Sequence, residues 1–102
     1  MKFTAALSLG LFASSSLAVS VTQIMKGGGT NDLEIQTDGT CIDLFQGTYG
    51  ARLNGGVTGT KCRFWVDSGC SGPVIGVIST ERPEAEMSDG ANGIRCAVPG
   101  SD

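Results

Sequence analysis

The stretch from Cys62 to Cys96 constrains the fold of this chain more than any other part of the sequence. It contains an apolar, aromatic run at 62–67 and a second apolar run at 73–79, with a turn rich in serine and glycine between them. Short β-branched and aromatic runs between turn residues are typical of β-strands. Because three of the four cysteines and the only tryptophan, Trp65, also lie here, we expect this stretch to form the centre of an all-β domain.

The amino-terminal segment is typical of a secretory signal peptide. A positively charged start precedes an apolar stretch of residues 3–17, and Ala18 completes a small-x-small cleavage site. The apolar run is too short and too rich in serine to cross a bilayer, which takes about 20 residues. We predict that residues 1–18 are removed, that 19–102 form a single domain, and that the protein is secreted. Cleavage after Ser20 is the alternative.

All four cysteines remain after this cleavage, which leaves 84 of the 102 residues. A domain of this size buries only a little over half of its surface, so its core often needs covalent support. An even number of cysteines in a secreted chain indicates disulfides, here two, each contributing about 2–4 kcal/mol. A zinc site is not predicted, because the sequence has no histidine and no CxxC pair. The four residues are Cys41, Cys62, Cys70 and Cys96.

Charge and residue types exclude several functions. Six of the seven basic residues remain after cleavage against ten acidic ones, a net charge of −4. This balance argues against nucleic acid or an anionic membrane as a main partner. Without histidine the usual general base is missing, and oxidised cysteines supply no thiolate, so we predict that the protein is not an enzyme.

The acidic segment 80–90 is expected to be mostly loop, with at most one helical turn around Pro83.

Between two β-type runs, Asp38-Gly39 predicts a β-hairpin. A two-residue turn there would pair Ile35 with Ile42 on one face. On the other face it would place Glu34 opposite Asp43, an unfavourable pair of like charges, so a longer loop with a shifted register is the alternative. Strands are predicted at 19–25, 33–37, 40–45, 51–54, 60–67, 73–79 and 92–98.

The central stretch resembles the Greek-key motif of the βγ-crystallin family. That motif joins an aromatic strand and a glycine-containing, folded-over hairpin to a later string with a serine and a branched apolar residue. Trp65 matches the aromatic position, Gly72 the glycine and Ile94 the branched apolar residue. The resemblance covers 62–96 well and 19–61 weakly. It implies a small Greek-key β-sandwich with two disulfides.

Two residues depart from the family pattern. Cys70 replaces a second aromatic residue, as in small, cysteine-containing, fungal-type secreted members. Gly93 replaces the serine that ties the hairpin down, so we expect that tie to be lost or made by water. The resemblance implies the disulfides Cys62–Cys96 and Cys41–Cys70. Four cysteines nevertheless allow three pairings, and the sequence alone leaves them open.

Toxin-like and antimicrobial members of the family imply a function. We expect a monomeric effector or antimicrobial, toxin-like protein that binds an extracellular protein or glycan and does not insert stably into a membrane. One alternative is a secreted protease inhibitor that presents the turn at 68–72 or the loop at 46–50. The other is a calcium-stabilised structural protein.

Calcium binding has little support in the sequence. The family's calcium string falls on 88–93, where only Asp89 fits a ligand position, while calcium takes six to eight oxygen ligands. We therefore predict no cofactor and retain Asp89 as a weak calcium candidate. For Trp65 we expect a structural role, packed over the hairpin, with contact to a sugar or a partner protein as the alternative.

Overall fold

A computed structural model describes residues 18–99 of the chain, except the side chains of Phe45 and Gln46. The predicted signal peptide therefore lies almost wholly outside the described residues. Six antiparallel strands form one sheet in the order β2-β1-β3-β6-β4-β5, which confirms the predicted all-β class. Within 18–99 no helix is able to span a membrane. The strands are β1 (Ala18–Met25), β2 (Thr30–Gln36), β3 (Asp38–Asn54), β4 (Lys61–Asp67), β5 (Ser71–Ser79) and β6 (Glu84–Ala97).

The sheet consists of two halves with the same arrangement. In each half the first strand forms a hairpin with the second strand and pairs on its other side with the third. The two third strands, β3 and β6, lie side by side and antiparallel at the centre. Ile24 faces Gly50 in the first half, as Trp65 faces Gly93 in the second. The halves are thus related by an approximate twofold axis between β3 and β6.

Both central strands are long enough to pair with strands of both halves. The amino-terminal part of β3 pairs with the carboxyl-terminal part of β6, which also pairs with β4. The carboxyl-terminal part of β3 pairs with β1 and with the start of β6. Between these parts the β3–β6 register shifts on each side of Thr48. Such irregularities bend strands, and here they accompany the passage of each strand from one half to the other.

The inner faces of the two halves share one hydrophobic core. Full burial of a valine, leucine, isoleucine, phenylalanine or methionine side chain contributes about 1.5–3 kcal/mol, so this core is a major source of stability. The Cys62–Cys96 disulfide crosses from β4 to β6 inside it, and both cysteines are completely buried. The cluster comprises Val19, Val21, Ile35, Leu44, Ala51, Leu53, Cys62, Phe64, Ile78, Met87, Ala91, Ile94 and Cys96.

The predicted hairpin at Asp38-Gly39 is wrong. Ile35 pairs with Val19 of β1, whereas Ile42 pairs with Ile94 of β6. The chain bends locally at Thr37 and passes from the edge of one half to the other half. β2 and β3 both run antiparallel to β1, so the chain does not reverse its direction between them.

Hydrogen bonds within the chain fix this local bend. The Asp38 carboxylate accepts hydrogen bonds from Thr40 Oγ1 at 2.6 Å and from Thr40 N at 3.0 Å. These bonds hold the pKa of the exposed Asp38 carboxyl below its ordinary value, because they favour the ionised form. Gly39 between them has a φ of +87°, a conformation that glycine adopts without strain.

The segment 80–90, expected to be mostly loop, contributes the first half of β6 instead. Ala85 and Met87 face the core, while Glu84 and Glu86 are exposed, which is the alternation of a strand. Glu84 pairs across the strands with Arg52, and the two side chains form an ion pair at 3.2 Å. The acidic composition concealed this alternation.

The amino-terminal strand gives a prediction about signal cleavage. Val19 is only 4% exposed and pairs with Ile35, so a mature protein that starts at Val19 keeps this contact, and one that starts at Val21 loses it. We expect the shorter form to unfold with a free energy lower by about 1–3 kcal/mol, the contribution of one buried valine. Chemical denaturation of the two purified forms measures the difference. Equal denaturation midpoints would contradict the packing of Val19.

Candidate functional site

The β4–β5 hairpin folds back over the outer face of the sheet, the face opposite the core. Its tip, residues 67–70, rests on Gly93 of β6. A Cβ atom at Gly93 would lie 3.0 Å from Cys70 N and 3.1 Å from Asp67 O, so only glycine allows this approach without movement. Gly72 has a φ of +79°, and a Cβ atom there would lie 2.7 Å from Asp67 Oδ2. Both glycines are therefore required by the folded hairpin.

Two bonds from β3 hold the hairpin tip in place. The disulfide Cys41–Cys70 joins it to the strand covalently. Two residues further along β3, the Asp43 carboxylate accepts a hydrogen bond from Gly69 N at 2.6 Å. The disulfide pairing is the one that the family resemblance implied, and all four cysteines are bonded.

A third bond comes from β6. The side-chain amide of Asn92 donates to the carbonyl oxygen of Val66 at 2.9 Å, at the base of the hairpin. Gly93 itself offers no side chain for the family's tie, and these bonds from neighbouring residues hold the hairpin instead. Protein groups on β3 and β6 hold the hairpin, and the missing side chain at Gly93 makes room for it. Ile94, the next residue, is completely buried in the core.

Beside the folded hairpin, the outer face of β4 and β6 carries basic side chains. We call Lys61, Arg63, Trp65 and Arg95 the basic face. Arg63 lies directly opposite Arg95 in the β4–β6 register. Like charges in this position repel each other and reduce stability. Neither arginine forms an ion pair with a residue in the described part of the chain, where the ion pair is Arg52–Glu84.

Trp65 lies at the centre of the basic face and is half-buried. The Arg95 guanidinium lies 5.4 Å from the centre of its ring, a cation–π contact. Across the strands from Trp65 is Val74, 45% exposed, and across from Arg63 is Val77, 42% exposed. An exposed group of tryptophan, arginine and valine has the composition of a binding surface.

The predicted calcium string lies inside β6. Asp89 is exposed, but the Asn92 amide already donates to Val66, and Gly93 is covered by the hairpin. Among residues 18–99 no group of three or more histidine, cysteine, aspartate or glutamate side chains could hold a metal ion. The geometry around Asp89 therefore adds no further ligand to the weak candidate.

The two segments considered for an inhibitory loop are both held in the sheet. Residues 68–72 form the hairpin tip that Cys41 and Asp43 attach to β3. Residues 46–50 lie within strand β3. Four of the five residues at 68–72 are exposed and the disulfide anchors the turn, so it keeps the form that the protease-inhibitor alternative requires, whereas 46–50 does not project as a loop.

No family model, curated protein or solved structure matches this chain. The βγ-crystallin resemblance therefore stays a prediction from the sequence, and the function is argued from the chain's own geometry.

Equivalent glycines in the two halves provide a matched pair of variants. Gly93→Ala forces a methyl group against backbone atoms of the hairpin, and we expect it to cost about 1–3 kcal/mol. At Gly50, which is itself buried, the nearest atoms to a Cβ are Ile24 Cβ at 3.3 Å, Ile24 Cδ1 at 3.4 Å and Ala85 O at 3.7 Å, with no hairpin above. Gly50→Ala should therefore cost less. Chemical denaturation of the two variants and of the unchanged protein measures their free energies of unfolding. An equal decrease in both variants would show that the hairpin does not rest on Gly93.

Proposed function

We propose that this protein is a small, secreted, disulfide-stabilised binding protein of the βγ-crystallin-like Greek-key type. It acts outside the cell as an effector or an antimicrobial, toxin-like protein, and the basic face contacts its target. The observation that carries this proposal is the placement of Arg63 opposite Arg95, beside the partly exposed Trp65.

The strand arrangement supports a Greek-key β-sandwich. In a Greek key the last strand returns to lie beside the first. Here β3 returns beside β1, and β6 returns beside β4. The two long strands pass between the halves, and both halves cover one core. Together with the folded hairpin over Gly93, this pattern is consistent with the family that the sequence of residues 62–96 resembles.

Secretion is supported by the covalent structure. Both disulfides are formed, and no free cysteine is present among the described residues. Disulfides of this kind persist in oxidising compartments such as the extracellular space. This agrees with the signal peptide predicted at residues 1–18.

The charges of the basic face indicate the chemistry of the target. The repulsion between Arg63 and Arg95 costs stability in the free protein, and an anionic group of a target would relieve it. Guanidinium groups bind carboxylates and other oxyanions through paired hydrogen bonds, and arginine and tryptophan are frequent binding hot spots. We therefore propose that the target is an extracellular protein or glycan that carries acidic groups.

The purified mature protein should inhibit the growth of competing microbes or provoke a response in host tissue. Replacing both Arg63 and Arg95 by serine removes the paired guanidinium groups, and we expect at least about a tenfold higher concentration to be needed for the same effect. The matched control is the double variant Lys26→Ser, Arg82→Ser, which changes the net charge equally and leaves the basic face intact.

Denaturation midpoints would show that both double variants are folded. Equal activity of the two double variants would remove the basic face as the contact surface. Absence of any effect on microbes and host tissue would overturn the proposed effector or antimicrobial role itself.

A further inference from the structure

The outer face of the first half of the sheet contains an open groove of about 460 Å³. Gly50 of β3 lies in it, with Ile24 of β1 on one side and Glu86 of β6 on the other. The lining residues are Ile24, Tyr49, Gly50, Ala51, Glu84, Ala85 and Glu86. We call this surface the Gly50 groove.

The Gly50 groove is the counterpart of the surface that the hairpin tip covers in the second half. Gly50 is paired with Ile24 and with Glu86. In the same way, Gly93 is paired with Trp65 and with Asp43. The approximate twofold axis thus places Glu86 where Asp43 accepts the N–H of the hairpin.

A second pair of positions corresponds in the same way. Glu84 faces Arg52 in the β3–β6 register, as Cys41 faces Arg95. In the second half Cys41 binds the hairpin tip through its disulfide. The two positions that hold the tip over Gly93 are therefore occupied by carboxylates at the Gly50 groove.

The groove is open because the hairpin of the first half is short. Five residues, 25–29, separate the paired residues Ile24 and Thr30, while eight, 66–73, separate Trp65 and Val74. The short hairpin is closed on itself by hydrogen bonds from Met25 N to Gly29 O and from Gly28 N to Met25 O. None of residues 25–29 lines the groove.

We propose that the Gly50 groove binds a basic peptide segment of a partner protein. That segment lies along the groove between Tyr49 and Glu86, beside the Ile24 side chain that packs against Gly50. The chain's own hairpin tip shows which kind of ligand this surface fits, because its counterpart already holds a turn of polypeptide at van der Waals distance from a glycine.

Glu84 is already paired with Arg52, so the charge that selects a basic segment is that of Glu86. Glu86 is exposed and forms no ion pair with a described residue, so it can accept a backbone N–H, as Asp43 does, or bind a lysine or arginine. Tyr49 also lines the groove, and Lys26 Nζ lies 5.8 Å from the centre of its ring. This contact shows that a cationic side chain can reach that ring.

This proposal is independent of the basic face. The Gly50 groove lies in the first half of the sheet and carries the opposite charge, so replacing Arg63 and Arg95 by serine should leave peptide binding unchanged. Loss of the effector activity proposed above and loss of peptide binding are therefore separate results.

The test uses the full mature protein and a capped synthetic peptide with the sequence of residues 66–72, in which lysine replaces Asp67 and Cys70. Titration into isotope-labelled protein should produce saturable NMR shifts at Gly50, Ala85 and Glu86. Glu86→Lys should weaken binding at least about tenfold, because it replaces the attracting charge by a repelling one.

Glu34→Lys is the matched control, since it makes the same change of charge at an exposed residue of β2 outside the groove. It should leave the affinity nearly unchanged. The proposal is overturned if no saturable binding occurs at millimolar peptide, or if the shifts cluster around Trp65. It is also overturned if Glu34→Lys weakens binding as much as Glu86→Lys, which would indicate unspecific attraction.

Discussion

The pairing of β3 with β6 is the interaction on which the rest of this structure depends. These two long strands lie at the centre of the sheet, and each pairs with strands of both halves. Because they are antiparallel, they relate the halves by an approximate twofold axis and bring both inner faces to one core. Both disulfides use these strands: Cys41–Cys70 begins on β3, and Cys62–Cys96 ends on β6. A small domain thus obtains one continuous core with covalent support.

The two halves share a framework but differ on their outer faces. In the second half a longer hairpin lies over Gly93 and is held by Cys41 and Asp43. In the first half a shorter hairpin leaves the surface around Gly50 open. The positions that hold the hairpin in one half carry glutamates in the other. Because its hairpin is shorter, the first half has a groove where the second half has a buried contact. The acidic Gly50 groove and the basic face around Trp65 thus lie in different halves of the sheet.

Local residue patterns predicted the strands better than their partners. The apolar, aromatic run at 62–67 identified β4 correctly, whereas Asp38-Gly39 marks a local bend and not a hairpin. The hairpin expected there does not form, because the inward-facing residues of β3 find better partners on β6. The start of β6 was missed, since its alternating glutamates resembled a solvated loop. Ile94 is buried in the core and Gly72 lies in the folded hairpin. The Gly50 groove could not be predicted, because its lining comes from three separate strands.

Residue order alone predicts that the domain is all-β, that its even number of cysteines forms disulfides, and where a glycine-rich hairpin follows an aromatic strand. These properties depend on neighbouring residues, so periodicity and turn chemistry are sufficient to reveal them. The folded structure adds which strands pair, that Asp43 and Asn92 replace the missing serine tie, and that Glu86 is the counterpart of Asp43. Those relationships join residues far apart in the chain, and they exist only once β3 and β6 have bent between the two halves and brought them together.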